Sequence, residues 1–131
     1  ISRSDLVIIP LQGSQLDLNE AGKAIGLVRR QEQAFRRSIP YRVLLTRTSA
    51  AIRPTTLRHI EAELDRNEIP TFRTMLFERD AFRAPFSFGG TLRNLPDGSV
   101  RRPDAAYENA EAYAQEVVDV LKSASNQGEA A

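Results

Sequence analysis

Three short apolar runs alternate with stretches in which apolar residues return every three or four positions. The first run, Asp5 to Leu11, is almost continuously apolar and is closed by Pro10 and Gly13, which predicts a strand covered on both faces, parallel and central in its sheet. Asp17 followed by Glu20 resembles a capping box, and Leu18, Ala21, Ile25, Val28 and Phe35 recur at helical spacing, predicting a first helix that runs to Arg37. Tyr41 to Thr46 reads as a second strand, set off by Ile39 and Pro40. Pro54 sits where a second helix can start, with Leu57, Ile60 and Leu64 on one face and an end near Asn67. Ile69 and Pro70 lead into a third strand, Phe72 to Phe77. This β-α-β-α-β order calls for an α/β fold with a parallel sheet of about three strands and right-handed crossovers. Further on, Pro96-Asp97-Gly98 predicts a turn. Asp104 can cap a last helix, on which Tyr107, Ala110, Tyr113 or Ala114, Val117 and Leu121 form the stripe. Residues 1–122 are expected as one structural unit and 123–131, small and polar, as a flexible tail.

The stretch from Phe77 to Gly90, FERDAFRAPFSFGG, departs from this rhythm by alternating charges with large aromatics directly after a strand. Two readings are open. It is a surface loop whose phenylalanines fold back on the core, or it is a ligand loop, because open α/β sheets bind ligands beyond the carboxyl ends of their strands.

Composition narrows the chemistry. The 18 basic and 17 acidic residues nearly balance, so there is no global field of the kind a polybasic arm carries. Apart from Lys23 and Lys122 the basic residues are arginines, which suit bidentate contact with phosphate or carboxylate, although a GC-rich genome gives the same bias. The absence of cysteine excludes disulfides, thiolate chemistry and cysteine-ligated metals. His59, the one histidine, lies one position off an apolar stripe and reads as solvent-facing or helix-packing rather than catalytic. No apolar run approaches the roughly 18 residues of a membrane span and no signal peptide is visible, so a soluble cytoplasmic protein is expected. No G-x-x-x-x-G-K-[ST] or G-x-G-x-x-G loop occurs, and no catalytic or metal-ligating set stands out. The chain opens on Ile1 and enters an interior-type strand almost at once, as a segment taken from the middle of a larger protein would.

Set in order, SDLVIIPLQ, the long helix, YRVLLTRT, the loop with Arg53 and its helix, FRTMLFERDAFRAPFSFGG and AYENAEAYAQEVVDVL resemble the carboxyl-terminal half of a ParA/MinD-type P-loop ATPase. Asp5 to Gln12 matches the pattern D-x-V-x-I-P-x-Q of that family. Leu76 to Gly89 corresponds to its strand and loop I-P-R-N-x-R-x-x-E-A-P-S-x-G, with Ser87 and Gly89 in register. Ala110, Tyr113 and Glu116-Val117 suit its closing helix. Glu78 to Phe82 looks closest to the VirC-type proteins that assist conjugal DNA transfer, with plasmid partition proteins as broader relatives. Phe77 in place of the usual proline, and the reordering at Pro85 and Phe86, depart from the pattern.

The resemblance implies a partial Rossmann-like P-loop NTPase fold. It implies a base-side nucleotide wall made by Thr46, Arg47, Phe77, Glu78, Arg79 and Asp80. Pro10 and Gln12 would lie near the nucleotide and the dimer interface. Arg53 matches a family arginine that contacts DNA without sequence preference; the second such arginine aligns with Ala81 and is not retained, but Arg79 and Arg83 flank that position and would contact DNA with Arg53. ATP and Mg2+ would serve the intact protein. The family's phosphate loop, magnesium aspartate and switch aspartate correspond to positions upstream of Ile1, so this segment alone is expected to hold no cofactor and to hydrolyse no ATP. The implied partners are DNA, a second copy of the chain, and a ParB-like or relaxosome protein. The implied location is the nucleoid or the cell pole. A non-catalytic binding module and a flavodoxin-like metabolic enzyme remain as alternatives.

Overall fold

Parallel pairing of three consecutive strands organises the computed structural model, which describes residues 1–13, 15–48 and 55–130. Strand β1 (Val7–Leu11) is followed by helix α1 (Gln15–Phe35), β2 (Tyr41–Thr48), α2 (Thr55–Arg66), β3 (Leu76–Phe77), a 3-10 turn (Asp80–Phe82), a short helix α3 (Ala84–Phe88) and a long helix α4 (Pro103–Ala130). The result is the expected α/β class, a three-strand parallel sheet flanked by helices in a partial Rossmann-like arrangement.

The strand order is β1-β2-β3, so β2 and not β1 holds the middle. Each crossover delivers the chain to the adjacent position, which among the described residues leaves β1 paired along one side only. Pro10, opposite Leu44 in the β1–β2 register, has no N–H to give to a ladder, and an edge strand is where such a residue is tolerated. Alternation selects the buried face. Ile9 and Leu11 of β1 join Val43 and Leu45 of β2, Ala21 and Ile25 of α1, Leu57, Ile60 and Leu64 of α2, and Met75 in one core. His59 is exposed beside buried Ile60, as its offset from the stripe predicts.

Both long crossover helices end on non-glycine residues in the left-handed region. Glu68 (φ 53°) closes α2, with the Ile69 N–H donating to the Leu64 carbonyl at 3.0 Å and the Glu68 N–H to that of Asp65 at 3.0 Å. Arg36 (φ 49°) does the same for α1, where the Arg37 N–H reaches the Glu32 carbonyl at 3.2 Å. The helix stops at Phe35 rather than Arg37, and the ring at the end of the predicted stripe is 59% exposed. Both predicted cap residues fall inside their helices rather than at the position before them. Asp17 and Asp104 lie inside the first turns of α1 and α4, where a carboxylate still favours the helix dipole. The predicted turn forms at Pro96, whose carbonyl accepts the Ser99 N–H at 3.1 Å with Gly98 at φ 75°.

The third strand is much shorter than predicted. Only Leu76–Phe77 ladders with β2, together with an isolated bridge between Val43 and Thr71. Helix α4 supplies the reason. The Glu116 carboxylate accepts the N–H groups of Arg73 and Thr74 at 2.6 and 2.9 Å, so the backbone between the two pairings is satisfied by a side chain. Tyr113 adds an edge-to-face contact with Phe72, ring centres 5.5 Å apart. Helix α4 runs on helically through Ser123 to Ala130.

Candidate functional site

Because all three strands run the same way, their carboxyl ends share one rim of the sheet. There β2 carries a bulge. Thr46 pairs with Leu76 and Thr48 with Phe77, leaving Arg47 as the extra residue at φ 55°. Bulges re-aim side chains, and a left-handed arginine costs on the order of 1 kcal/mol that glycine would not. The Arg47 guanidinium reaches Glu78, its Nη2 lying 3.2 Å from Oε1.

The loop after β3 folds back on the same carboxylate. The Glu78 N–H donates to the Thr48 carbonyl at 2.9 Å, and the 3-10 turn is closed by Phe82 and Arg83 N–H groups donating to the carbonyls of Arg79 and Asp80. Fully buried Ala81 and nearly buried Ala84 anchor the turn from below. Arg83 is thereby returned toward Glu78, with Nη2 at 2.6 Å from Oε1 and Nη1 at 3.4 Å from the Asp80 carboxylate. One carboxylate oxygen thus sits between two guanidinium groups. Arg83 first, then Arg47, hold the Glu78 carboxyl below its ordinary range. Arg79 lies over the Phe77 ring, 5.9 Å from its centre. Two buried polar atoms at this rim, Thr48 Oγ1 and Arg79 Nε, have no hydrogen-bond partner among the described residues. They suit a ligand that brings its own donors and acceptors.

Helix α4 fixes the rim from the side. Asn109 accepts the Phe77 N–H at 3.0 Å and donates to the Met75 carbonyl at 2.7 Å, standing where a further strand would pair. Seven residues later comes Glu116. Burial raises its pKa, but the Arg73 and Thr74 hydrogen bonds and the nearby charge of Arg42 outweigh this, and the net shift is downward.

Arg47, Phe77, Glu78, Arg79, Asp80 and Arg83 therefore come together as one cluster, with Thr46 in the ladder beneath it. Pro10 and Gln12 are exposed at the end of β1, across β2 from this cluster. Arg53 lies outside the described residues. The loop does not fold its phenylalanines onto the core. Phe82 is half-buried, but Phe86 is 94% and Phe88 60% exposed. Asn109 and Glu116 carry the positioning, and the sequence reading missed that role. The available signal was polar residues seven apart on an otherwise apolar helix stripe.

Over 124 residues, 95% of its length, the chain is 36% identical to Protein ParA of Rhizobium radiobacter. The chain is thus similar to a ParA protein over nearly its whole length. It spans 55% of the length of that curated relative. No protein-family model matches the chain. Among the described residues, no helix is long and apolar enough to cross a membrane.

Proposed function

We propose that this chain is the carboxyl-terminal portion of a ParA-like ATPase that acts in plasmid or chromosome partition or in conjugal DNA transfer. The observation that carries the reading is the 36% identity to Protein ParA sustained over 95% of the chain. In this reading the rim formed by Thr46, Arg47 and Phe77 to Asp80 is the base side of a nucleotide site. Its unpartnered Thr48 hydroxyl and Arg79 Nε are compatible with that role. Phosphate and Mg2+ handling belong to the remainder of the intact protein, which would bind ATP as a homodimer and meet a ParB-like or relaxosome partner at the nucleoid or pole. Arg79 and Arg83, with Arg53, face DNA.

DNA binding through these arginines is electrostatic, and it is expected to weaken linearly in log affinity against log salt, with a slope of about −0.9 per phosphate neutralised. The chain should bind random-sequence duplex at low salt. Arg79→Ala combined with Arg83→Ala should weaken that binding and flatten the slope by about one to two, as read by fluorescence anisotropy across a salt series. Absence of binding by the unmodified chain at low salt would overturn the DNA part of the proposal.

A further inference from the structure

The Glu78 carboxylate is held between two guanidinium groups. Its Oε1 receives Arg83 Nη2 at 2.6 Å and Arg47 Nη2 at 3.2 Å, and two arginines converging on one oxygen is the contact that guanidinium groups make with phosphate. The arrangement is also easy to open. Glu78, Arg47 and Arg83 side chains are 47%, 57% and 58% exposed, so water and salt screen the pairs and an incoming anion has direct access. A second, independent observation is the backbone at Arg47. A left-handed bulge residue would ordinarily be glycine, and here an arginine occupies the strained position and aims at the same point.

We propose that Arg47 and Arg83 form a two-arginine seat for a DNA backbone phosphate, and that Glu78 occupies this seat as a built-in competitor until the phosphate displaces it. This rests on the DNA-facing reading of the loop and adds Arg47 to it. Asp80, 3.4 Å from Arg83, keeps that arginine in place while Glu78 swings out. The loop then presents a carboxylate to solvent and two guanidinium groups to the duplex. The resting chain therefore binds DNA less tightly than its arginines would allow.

The experiment compares the unmodified chain with Glu78→Gln in a salt series on random duplex, with Glu111→Gln as a control that removes one exposed carboxylate from the outer face of α4. Glu78→Gln should tighten binding about threefold to tenfold at low salt, well beyond the control, and steepen the salt slope by about one. That gain should vanish in Glu78→Gln combined with Arg47→Gly, a change that relieves the backbone and leaves the thermal midpoint unchanged or higher. If Arg79→Ala with Arg83→Ala weakens the unmodified chain while Glu78→Gln binds no better than Glu111→Gln, the seat is overturned and the DNA reading stands. If the unmodified chain does not bind duplex at low salt, both are overturned. A gain confined to free ATP, with none on duplex, also overturns the assignment to DNA.

Discussion

Ile60→Ala is expected to destabilise the chain by about 3 kcal/mol, within the roughly 2 to 5 kcal/mol range for truncating a buried isoleucine. Ile60 has no exposed surface and lies in the cluster that joins α2 to β1 and β2. Two costs add. The lost side chain had been transferred from water, and the cavity beneath α2 cannot collapse while Leu57 and Leu64 hold the helix on either side. Domains of this size are stable by only about 5 to 15 kcal/mol, so the loss is a large share of the total. Urea titration should show the midpoint falling with the slope unchanged, the mark of a stability effect without a change in surface exposed. A thermal midpoint lower by about 10 °C should accompany it. A change below 1 kcal/mol would mean that α2 is not seated on the sheet as described.

Glu116→Ala is expected to cost about 2 to 3 kcal/mol, although the residue is polar, only partly buried and outside the core cluster. Hydrogen bonds to an ionised group contribute about 1.5 to 3 kcal/mol each, and Glu116 accepts two, from Arg73 and Thr74. The Arg73 amide is exposed and finds water when the carboxylate is removed, which keeps the loss below the sum. Glu116→Gln should cost less, about 1 to 2 kcal/mol, because one oxygen still accepts while the new amide N–H₂ faces a donor. The acid dependence follows from the lowered pKa of Glu116. Its contribution is complete above the ordinary glutamate value of about 4.3 and is lost as the pH falls through the lower, folded value. The stabilities of the unmodified chain and Glu116→Gln should therefore stay apart at neutral pH and begin to converge only as the pH falls below about 4.3, the ordinary glutamate value. Equal stability at pH 7 would show that the contact is too solvated to matter.

The parts of the fold set by apolar spacing were legible before any coordinates. Ala21, Ile25, Val28, Leu57, Ile60 and Leu64 are buried as their periodicity required, because a helix face against a sheet leaves little choice. The run Asp5 to Leu11 was legible as a strand but not as an edge strand, since apolar content reports burial and not the number of neighbours. The third strand was overcalled for a related reason. Phe72 to Phe77 has strand composition, but the partner of its backbone is a glutamate forty-odd residues away, and no local pattern encodes that contact.

The site divides in the same way. Phe77, Glu78, Arg79 and Asp80 were found because charge directly after an apolar strand is unusual. Which of these charges satisfy one another was not visible. That depends on the bulge at Arg47 and on the 3-10 turn that brings Arg83 back, and both are tertiary outcomes. Exposure of Phe86 and Phe88 likewise contradicts the simple expectation that aromatics in a loop seek the core. Pro85 lies in the first turn of a five-residue helix that Gly89 ends, so the segment is too short to turn both rings inward.

The central claim is that Arg47 and Arg83, at the loop edge of this rim, meet nucleic-acid phosphate. At 131 residues the chain is small enough for residue-by-residue amide NMR, and a titration with random-sequence duplex at low salt tests the claim directly. The account predicts shifts concentrated at residues 46–48 and 77–83, fading together as salt is raised. Shifts confined to the outer face of α4, or binding with no change at Arg47 and Arg83, would contradict it.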